Sequence, residues 1–489
     1  MSHSLNDMHH PLRADETTAA LNNVRHLLRA DETADAFARL TTLKESVPPG
    51  DMWRVHEMFG EAFFTMGDAE GAASAYLNAA KCDRFLTAQM QHFSNYLFAL
   101  QYLPNIDNEA IFNEHIFYGK LAAMLPTLKP LAPPQKEGGK IRVGYLAADF
   151  APSAAANFFA PFLTDFDRDN FTVFTYALNE LPPDLPAKSV AFAEKVCRDT
   201  ALRVLPPDYA QAAETIRRDN LDILIELGGH SAGGRGLIVA AHRLAPIQIC
   251  TVGYMGTSGL YDIDYVLADK IMWQTGDEKY FTEQPLILPQ AFCFAPSAPI
   301  TPDPEQPSRP FTFANFGNFM KITDAILTLW RDILSATPRS RLILQDTTTV
   351  TERLRQMLRR VKKAGFDPAR VEVRPAGENF QHTYNEVDLI LDTFPYPGGA
   401  MTATALALKT PVVALKGTRY GSRFADELLT AAHCQALLAD SPADYAKKAV
   451  QFARKELSLP NDAFARPLTD TKNYMRNIEQ MFTSIISLP

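Results

Sequence analysis

The sequence predicts an α/β protein: two α/β halves in tandem behind an α-helical segment. Three observations lead there. Alanine and leucine dominate from about Thr17 to Met124, with proline confined to junctions such as Pro48-Pro49. Short apolar runs separated by helical stretches begin at Ile141. A proline-rich stretch, Ala295 to Pro310, interrupts them, and the same alternation then restarts. Short buried strands alternating with helices imply parallel sheets.

The helical segment carries one clear signal. In "GEAFFTMGDAEGAASAYLNAAKCD" (Gly60 to Asp83), small residues at Gly60, Ala72 and Ala79 surround Tyr76, and Gly67-Asp68 forms a turn. That spacing predicts a helix-turn-helix resembling one tetratricopeptide (TPR) unit. "LLRADETADAFARL" (Leu27 to Leu40) echoes it one repeat earlier. A plain helical bundle is the alternative reading. "LKPLAPPQKEGGK" (Leu128 to Lys140) reads as a linker.

Beyond it, "IRVGYLAADF", "FTVFTYAL", "LDILIEL", "IQICTVGY" and "DYVLAD" are predicted strands of the first α/β unit. "FTFANFG", "RLILQD", "VEVRP", "VDLILDT" and "PVVALKG" belong to the second, with helices near Ile326–Ala336 and Thr351–Ala364. The expected division is therefore 1–127, 128–305 and 306–489.

Composition narrows the class. The 489 residues carry a net charge of −8 with no long basic block, which argues against a nucleic-acid partner. Cys82, Cys197, Cys250, Cys293 and Cys434 are scattered, as expected of reduced thiols in a cytoplasmic protein. The polar N-terminus does not read as a secretory signal, and no apolar run is long enough to span a membrane.

Three loops at strand ends stand out: "DILIELGGHSAGGR" with His230, "FANFGNFMKITDAILTLW" with Lys321, and "DTFPYPGGAMTATALALKTPVV" with Gly398 and Gly399. In open α/β sheets the ligand sits outside the carboxyl ends of the strands.

Together these loops resemble the O-GlcNAc transferase family, glycosyltransferase family 41, in its bacterial form. The resemblance covers about residues 92 to 480. It runs through "IRVGYLAADF", "GGHSAGGR", "RLAPIQICTVGYMGTSGLYDIDYVLAD", "NFGNFMKI", "DLILDTFPYPGG" and "SRFADELL", in that order. It implies the GT-B fold, two Rossmann-like domains facing across a cleft. It also implies metal-independent, inverting transfer of a sugar from a nucleotide-sugar donor, most often a UDP-sugar, to Ser or Thr of a protein. No cofactor beyond that co-substrate is implied, and related enzymes use asparagine as acceptor.

By the same resemblance Lys321 binds the donor phosphates, where a compact ammonium meets a developing anion. Asn318, Pro375, Phe380, Gly398, Gly399, Ala400, Met401, Thr402 and Thr404 fall on the donor side. Backbone N–H groups at a helix N-terminus would complete the anion site there. His230 matches a histidine of the family and is the candidate general acid or base; a histidine that only orders its loop is the other reading. Asp149, Ser153, Tyr254, Gly256 and Thr257 fall on the acceptor side. "YDIDY" (Tyr261 to Tyr265) imitates an Asp-x-Asp metal motif but reads as the start of a strand, so no metal is expected.

The sequence departs from the family pattern around the donor. Ser153 stands where a histidine is usual, Phe380 where a histidine stacks on the base, and Gly377 where a lysine lies. Ala400-Met401 replaces a Thr-Thr pair, and Thr404 replaces an acidic residue. Phe380 could still stack on a base. Three explanations stay open: a different donor such as a CMP-nonulosonic acid used on flagellin, an ordinary UDP-sugar held by other contacts, or a degenerate, non-catalytic protein-binding module.

Overall fold

A computed structural model describes residues 13–104, 106–126, 128, 139–181, 185–296, 309–377, 383–464 and 468–487. Six helices among these open the chain: Ala14–Arg29, Thr33–Ser46, Met52–Met66, Ala69–Cys82, Leu86–Leu100 and Asn108–Ala122. The expected helix-turn-helix is the third and fourth of them. Gly67 ends the first helix in the left-handed region (φ 81°), and the Asp68 side chain accepts from the Gly71 N–H to start the next. A Cβ on Gly60 would lie 2.5 Å from the Tyr76 ring, so the two helices approach at a residue without a side chain. The echo at Leu27 to Leu40 is also a helical hairpin. The linker and the proline-rich boundary fall largely outside the described residues.

Two parallel sheets follow. The first comprises β1 (Ile141–Ala147), β2 (Phe171–Ala177), β3 (Ala201–Val204), β4 (Ile223–Glu226), β5 (Ile247–Cys250), β6 (Tyr265–Asp269) and β7 (Gln284–Leu288). Its order is β3-β2-β1-β4-β5-β6-β7. The second comprises β8 (Phe311–Asn315), β9 (Ser340–Gln345), β10 (Val371–Arg374), β11 (Leu389–Leu391), β12 (Val412–Leu415) and β13 (Leu438–Ala439), in the order β10-β9-β8-β11-β12-β13. Both follow the doubly wound pattern, which places a switch point between β1 and β4 and another between β8 and β11.

The predicted strands all form, and β3, β7 and β13 are additional. β3 escaped the sequence reading because it is an edge strand with Leu202 and Val204 about half exposed. β7 is the opposite edge and carries Pro285, which a central strand would not tolerate.

The division at residue 306 needs one correction. The last helix, Thr471–Ile486, leaves the second unit and packs on the first. The Phe482 ring meets Phe171 edge to face, Tyr474 packs tilted against Phe162, and the Tyr474 hydroxyl donates to the Ala291 carbonyl at 2.9 Å. The two units meet through "SRFADELL". Arg423 forms a buried pair with Asp277 (Nη1–Oδ2 2.5 Å), the Tyr420 hydroxyl donates to the Leu267 carbonyl, and Phe424 packs on Phe158 and Phe292. No helix among the described residues is long and apolar enough to cross a membrane.

Candidate active site

Between the two units lies a cavity of about 720 Å³ at the carboxyl ends of β8 and β11. Asn315 closes β8 and sends its Nδ2 to the Leu391 carbonyl at the end of β11 (2.7 Å), locking the switch point. The chain then turns through Asn318, whose side chain accepts from the Met320 N–H, and delivers Lys321 into the cavity.

Lys321 is half-buried. Its ammonium donates to the Pro397 carbonyl at 2.8 Å and sits 4.0 Å from the centre of the Tyr396 ring. Burial lowers its pKa to about 8, opposed by the nearby Asp392 carboxylate. It forms no ion pair with a carboxylate among the described residues.

Asp392 follows β11 and is fully buried. Its Oδ1 accepts from the N–H groups of Thr393 and Gly398, both at 2.8 Å, and its Oδ2 from the Thr402 hydroxyl at 3.3 Å. Burial raises its pKa to about 6, against the pull of those donors and of Lys321. Asp392 thus shapes the Gly398-Gly399 turn, which opens the helix Ala400–Ala407 toward the cavity. The first N–H groups of that helix have no intrahelical acceptor, so an anion beside Lys321 would meet them.

Of the residues assigned to the donor side, Asn318, Lys321, Gly398, Gly399, Ala400, Met401 and Thr404 line one cavity. Thr402 lies behind it on Asp392, and Thr404 returns its hydroxyl to the Ala400 carbonyl. Pro375 is exposed beside the lining residues Ala376 and Gly377. Phe380 and His382 lie outside the described residues.

His230 is placed elsewhere. It is fully buried where the helical domain meets the first unit, ringed by His115, Tyr118 and Tyr254. Nδ1 pairs with the Ser94 hydroxyl at 2.9 Å and Nε2 lies 3.0 Å from the Ser258 carbonyl. Burial and the neighbouring His115 hold its pKa well below the usual histidine range. Both nitrogens are occupied and the ring does not line the cavity, which fits the reading of a histidine that orders its loop. The glycines around it serve the same joint: Gly234 (φ 60°) would place a Cβ 2.1 Å from Ser94 Oγ.

The acceptor-side set divides. Ser153 lines the cavity, while its hydroxyl accepts from the Ala156 N–H. Asp149 accepts from the Ala151 N–H within its own loop. The Tyr254 hydroxyl is buried between Gln101 and His115. Thr257 donates to Glu283 at 2.6 Å, and Gly256 and Thr257 border a smaller cavity of about 50 Å³. In "YDIDY", Asp264 is held by Arg243 and by the Gln248 N–H, at the entry to β6.

Several lining residues were not anticipated. Phe98 and Tyr102, at i and i+4 where the helix Leu86–Leu100 ends, bring the helical domain to the cavity wall. The Tyr102 and Tyr396 rings meet edge to face at 4.9 Å. Asp346 sits beneath Asn318, paired with the buried Arg353 (Nε–Oδ2 2.9 Å). Tyr384 donates to the Met401 carbonyl. Two signals were available: the aromatic pair near a helix end, and the acid Asp346 closing "RLILQD".

The model of glycosyl transferase family 41 matches residues 127–299 and 303–466, well over half of the chain. The chain belongs to glycosyl transferase family 41. Among curated members it is similar to the probable UDP-N-acetylglucosamine–peptide N-acetylglucosaminyltransferase SPINDLY of Oryza sativa subsp. japonica. The identity is 29% over 409 residues, 80% of this chain and 44% of that one. The probable transferase SEC of Arabidopsis thaliana is 26% identical over 384 residues, 73% of this chain and 38% of that one. The chain thus spans less than half the length of these curated relatives. Among solved structures, a mutant O-GlcNAc transferase from Thermobaculum terrenum superposes with a TM-score of 0.72 at 21% identity, covering 97% of this chain and 98% of that one. That likeness shows the fold: GT-B with a TPR-like helical domain in front.

Proposed function

We propose that the chain is a protein glycosyltransferase that binds a nucleotide-sugar donor in the 720 Å³ cavity and transfers the sugar to a protein hydroxyl. The observation that carries this reading is Lys321: a desolvated ammonium without a carboxylate partner among the described residues, beside the N-terminus of Ala400–Ala407 at a switch point. Such a group suits the departing diphosphate. Membership of family 41 and the names of its relatives support a protein acceptor and a UDP-sugar.

In the proposed reaction the acceptor oxygen attacks the anomeric carbon opposite the leaving group. The new C–O bond forms as the bond to the diphosphate breaks, the diphosphate takes the electron pair, and configuration inverts. Positive charge for this step comes from Lys321 and the helix N–H groups, so it runs without a metal. Among the described residues no histidine lines the cavity, and the hydroxyl proton is assigned to the donor phosphate or to water. A cytoplasmic site of action completes the reading.

A thermal-shift panel of UDP, CMP, GDP and their sugars tests it. The right ligand at a hundred times its dissociation constant adds ~2.7 kcal/mol of stability. Transfer is then read as a mass increase on a protein acceptor. If no nucleotide sugar stabilises the chain while a protein client binds tightly, the chain is a non-catalytic binding module.

A further inference from the structure

Among the described residues, the most deeply buried arginine pairs each hold a carboxylate: Arg353 with Asp346, Arg423 with Asp277 and Arg309 with Asp388, at 2.5–2.9 Å. Arg370, half-buried, is satisfied instead by three carbonyls and a hydroxyl. Arg419 has neither arrangement. Its Nη2 donates to the Gln101 carbonyl at 3.3 Å, and it pairs with no carboxylate among the described residues. Burial lowers its pKa, offset by the phenols of Tyr254 and Tyr396. Arg419 is half-buried, and a partly desolvated guanidinium with one weak acceptor is stabilised when a counter-charge arrives.

The place of Arg419 suggests what arrives. It borders the cavity of about 50 Å³ where the helical domain, the Gly253–Gly259 loop and the second unit meet, together with Gln101, Asn108 and Thr257. That space admits a group of a few heavy atoms and not a nucleotide. Asp277 also borders it, but its carboxylate is committed to Arg423. Met255 lines both this cavity and the larger one, so a ligand in the donor site lies next door.

We propose that Arg419 receives a carboxylate carried by a substrate. The proposal rests on the glycosyltransferase reading. A planar guanidinium matches a carboxylate through two parallel hydrogen bonds. The group has two possible sources: an acidic donor sugar, or an Asp or Glu side chain flanking the modified residue of the acceptor.

The test uses the full chain, R419Q and R419K. In the donor arm, calorimetry compares UDP-glucose with UDP-glucuronic acid, and CMP with CMP-N-acetylneuraminic acid. In the acceptor arm, transfer from the donor found by thermal shift is measured on peptides with Asp or Asn beside the acceptor residue. A charge-assisted pair predicts that R419Q weakens the carboxylate-bearing ligand roughly 10- to 100-fold. Its carboxylate-free counterpart should stay within about twofold. R419K should restore part of the loss, since it keeps the charge without the fork. The arm that shows this names the source.

Equal behaviour of wild type and R419Q in both arms overturns the proposal, as does an equal loss for both members of each pair. If R419Q does not fold, R419K alone decides it, with a selective loss of about three- to tenfold expected. If the wild type binds no nucleotide sugar at all, the glycosyltransferase reading fails. If it binds them without regard to Arg419, only the carboxylate proposal fails.

Discussion

Replacing Lys321 with methionine should move stability and donor affinity in opposite directions. The side chain keeps its length, and the ammonium is lost. In the free protein that ammonium is held in a site that lowers its pKa from 10.5 to about 8. At pH 7 such a shift corresponds to roughly 3 kcal/mol of destabilisation. Partial solvent access of the side chain, and the lost hydrogen bond to Pro397, reduce the expected gain to about 1 kcal/mol. Lys321→Met should therefore be slightly more stable than wild type by denaturant titration at pH 7. The sign with pH follows. The folded pKa lies below the unfolded one, so the cost is fully present below pH 8 and is relieved as pH rises toward 10.5. The two proteins should converge there. Donor binding runs the other way. Losing one charge-assisted contact to a phosphate should cost about 1.5–3 kcal/mol, or roughly 10- to 150-fold in Kd by calorimetry. An anion beside Lys321 also raises its pKa, so wild type should take up roughly half a proton on binding at pH 8 and almost none at pH 6. Equal donor affinity of wild type and Lys321→Met, with no proton uptake at pH 8, would refute the assignment.

Three further outcomes follow from the geometry. His230→Ala should lose about 2–4 kcal/mol of stability, because it strands the buried Ser94 hydroxyl and Ser258 carbonyl, while the pH profile of transfer by the folded fraction stays unchanged. The lowered pKa of His230 also makes wild type lose stability as pH falls below about 6.5, which His230→Gln should not reproduce. Arg423→Ala leaves Asp277 buried without its partner and should cost about 3–5 kcal/mol in thermal unfolding, with earlier proteolysis where the two units meet.

The scaffold was legible because its signals are local. Apolar runs such as "RLILQD" and "VDLILDT" are buried on both faces and announce central parallel strands, whereas β3 is half exposed and carries no such run. The cavity lining was legible for the same reason, since Lys321 and Gly398–Met401 sit at strand ends. His230 left two readings open because a histidine after two glycines at a strand end looks identical in sequence whether its ring faces a cleft or a neighbouring helix. Ser94, 136 positions away, decided that. The "SRFADELL" block was similarly opaque: its buried Arg423 serves the seam between units, and only the fold brings Asp277 to it. Tyr102 and Arg419 take their meaning from the junction of three segments distant along the chain.

The return of the last helix to the first unit has a mechanical consequence. The chain passes between the α/β units twice, and the two passages run side by side: the Phe294 N–H donates to the Leu468 carbonyl at 3.0 Å. With the Arg423–Asp277 seam beside them, these passages tie the units along one side, like the spine of a book, which favours rotation about that side over sliding of one sheet past the other. The helical domain spans the open edge, touching the second unit through Asp31 to Thr351, Gln101 to Arg419 and Tyr102 to Tyr396. It acts as the clasp of the book, and admitting a donor by rotation means releasing those three contacts together.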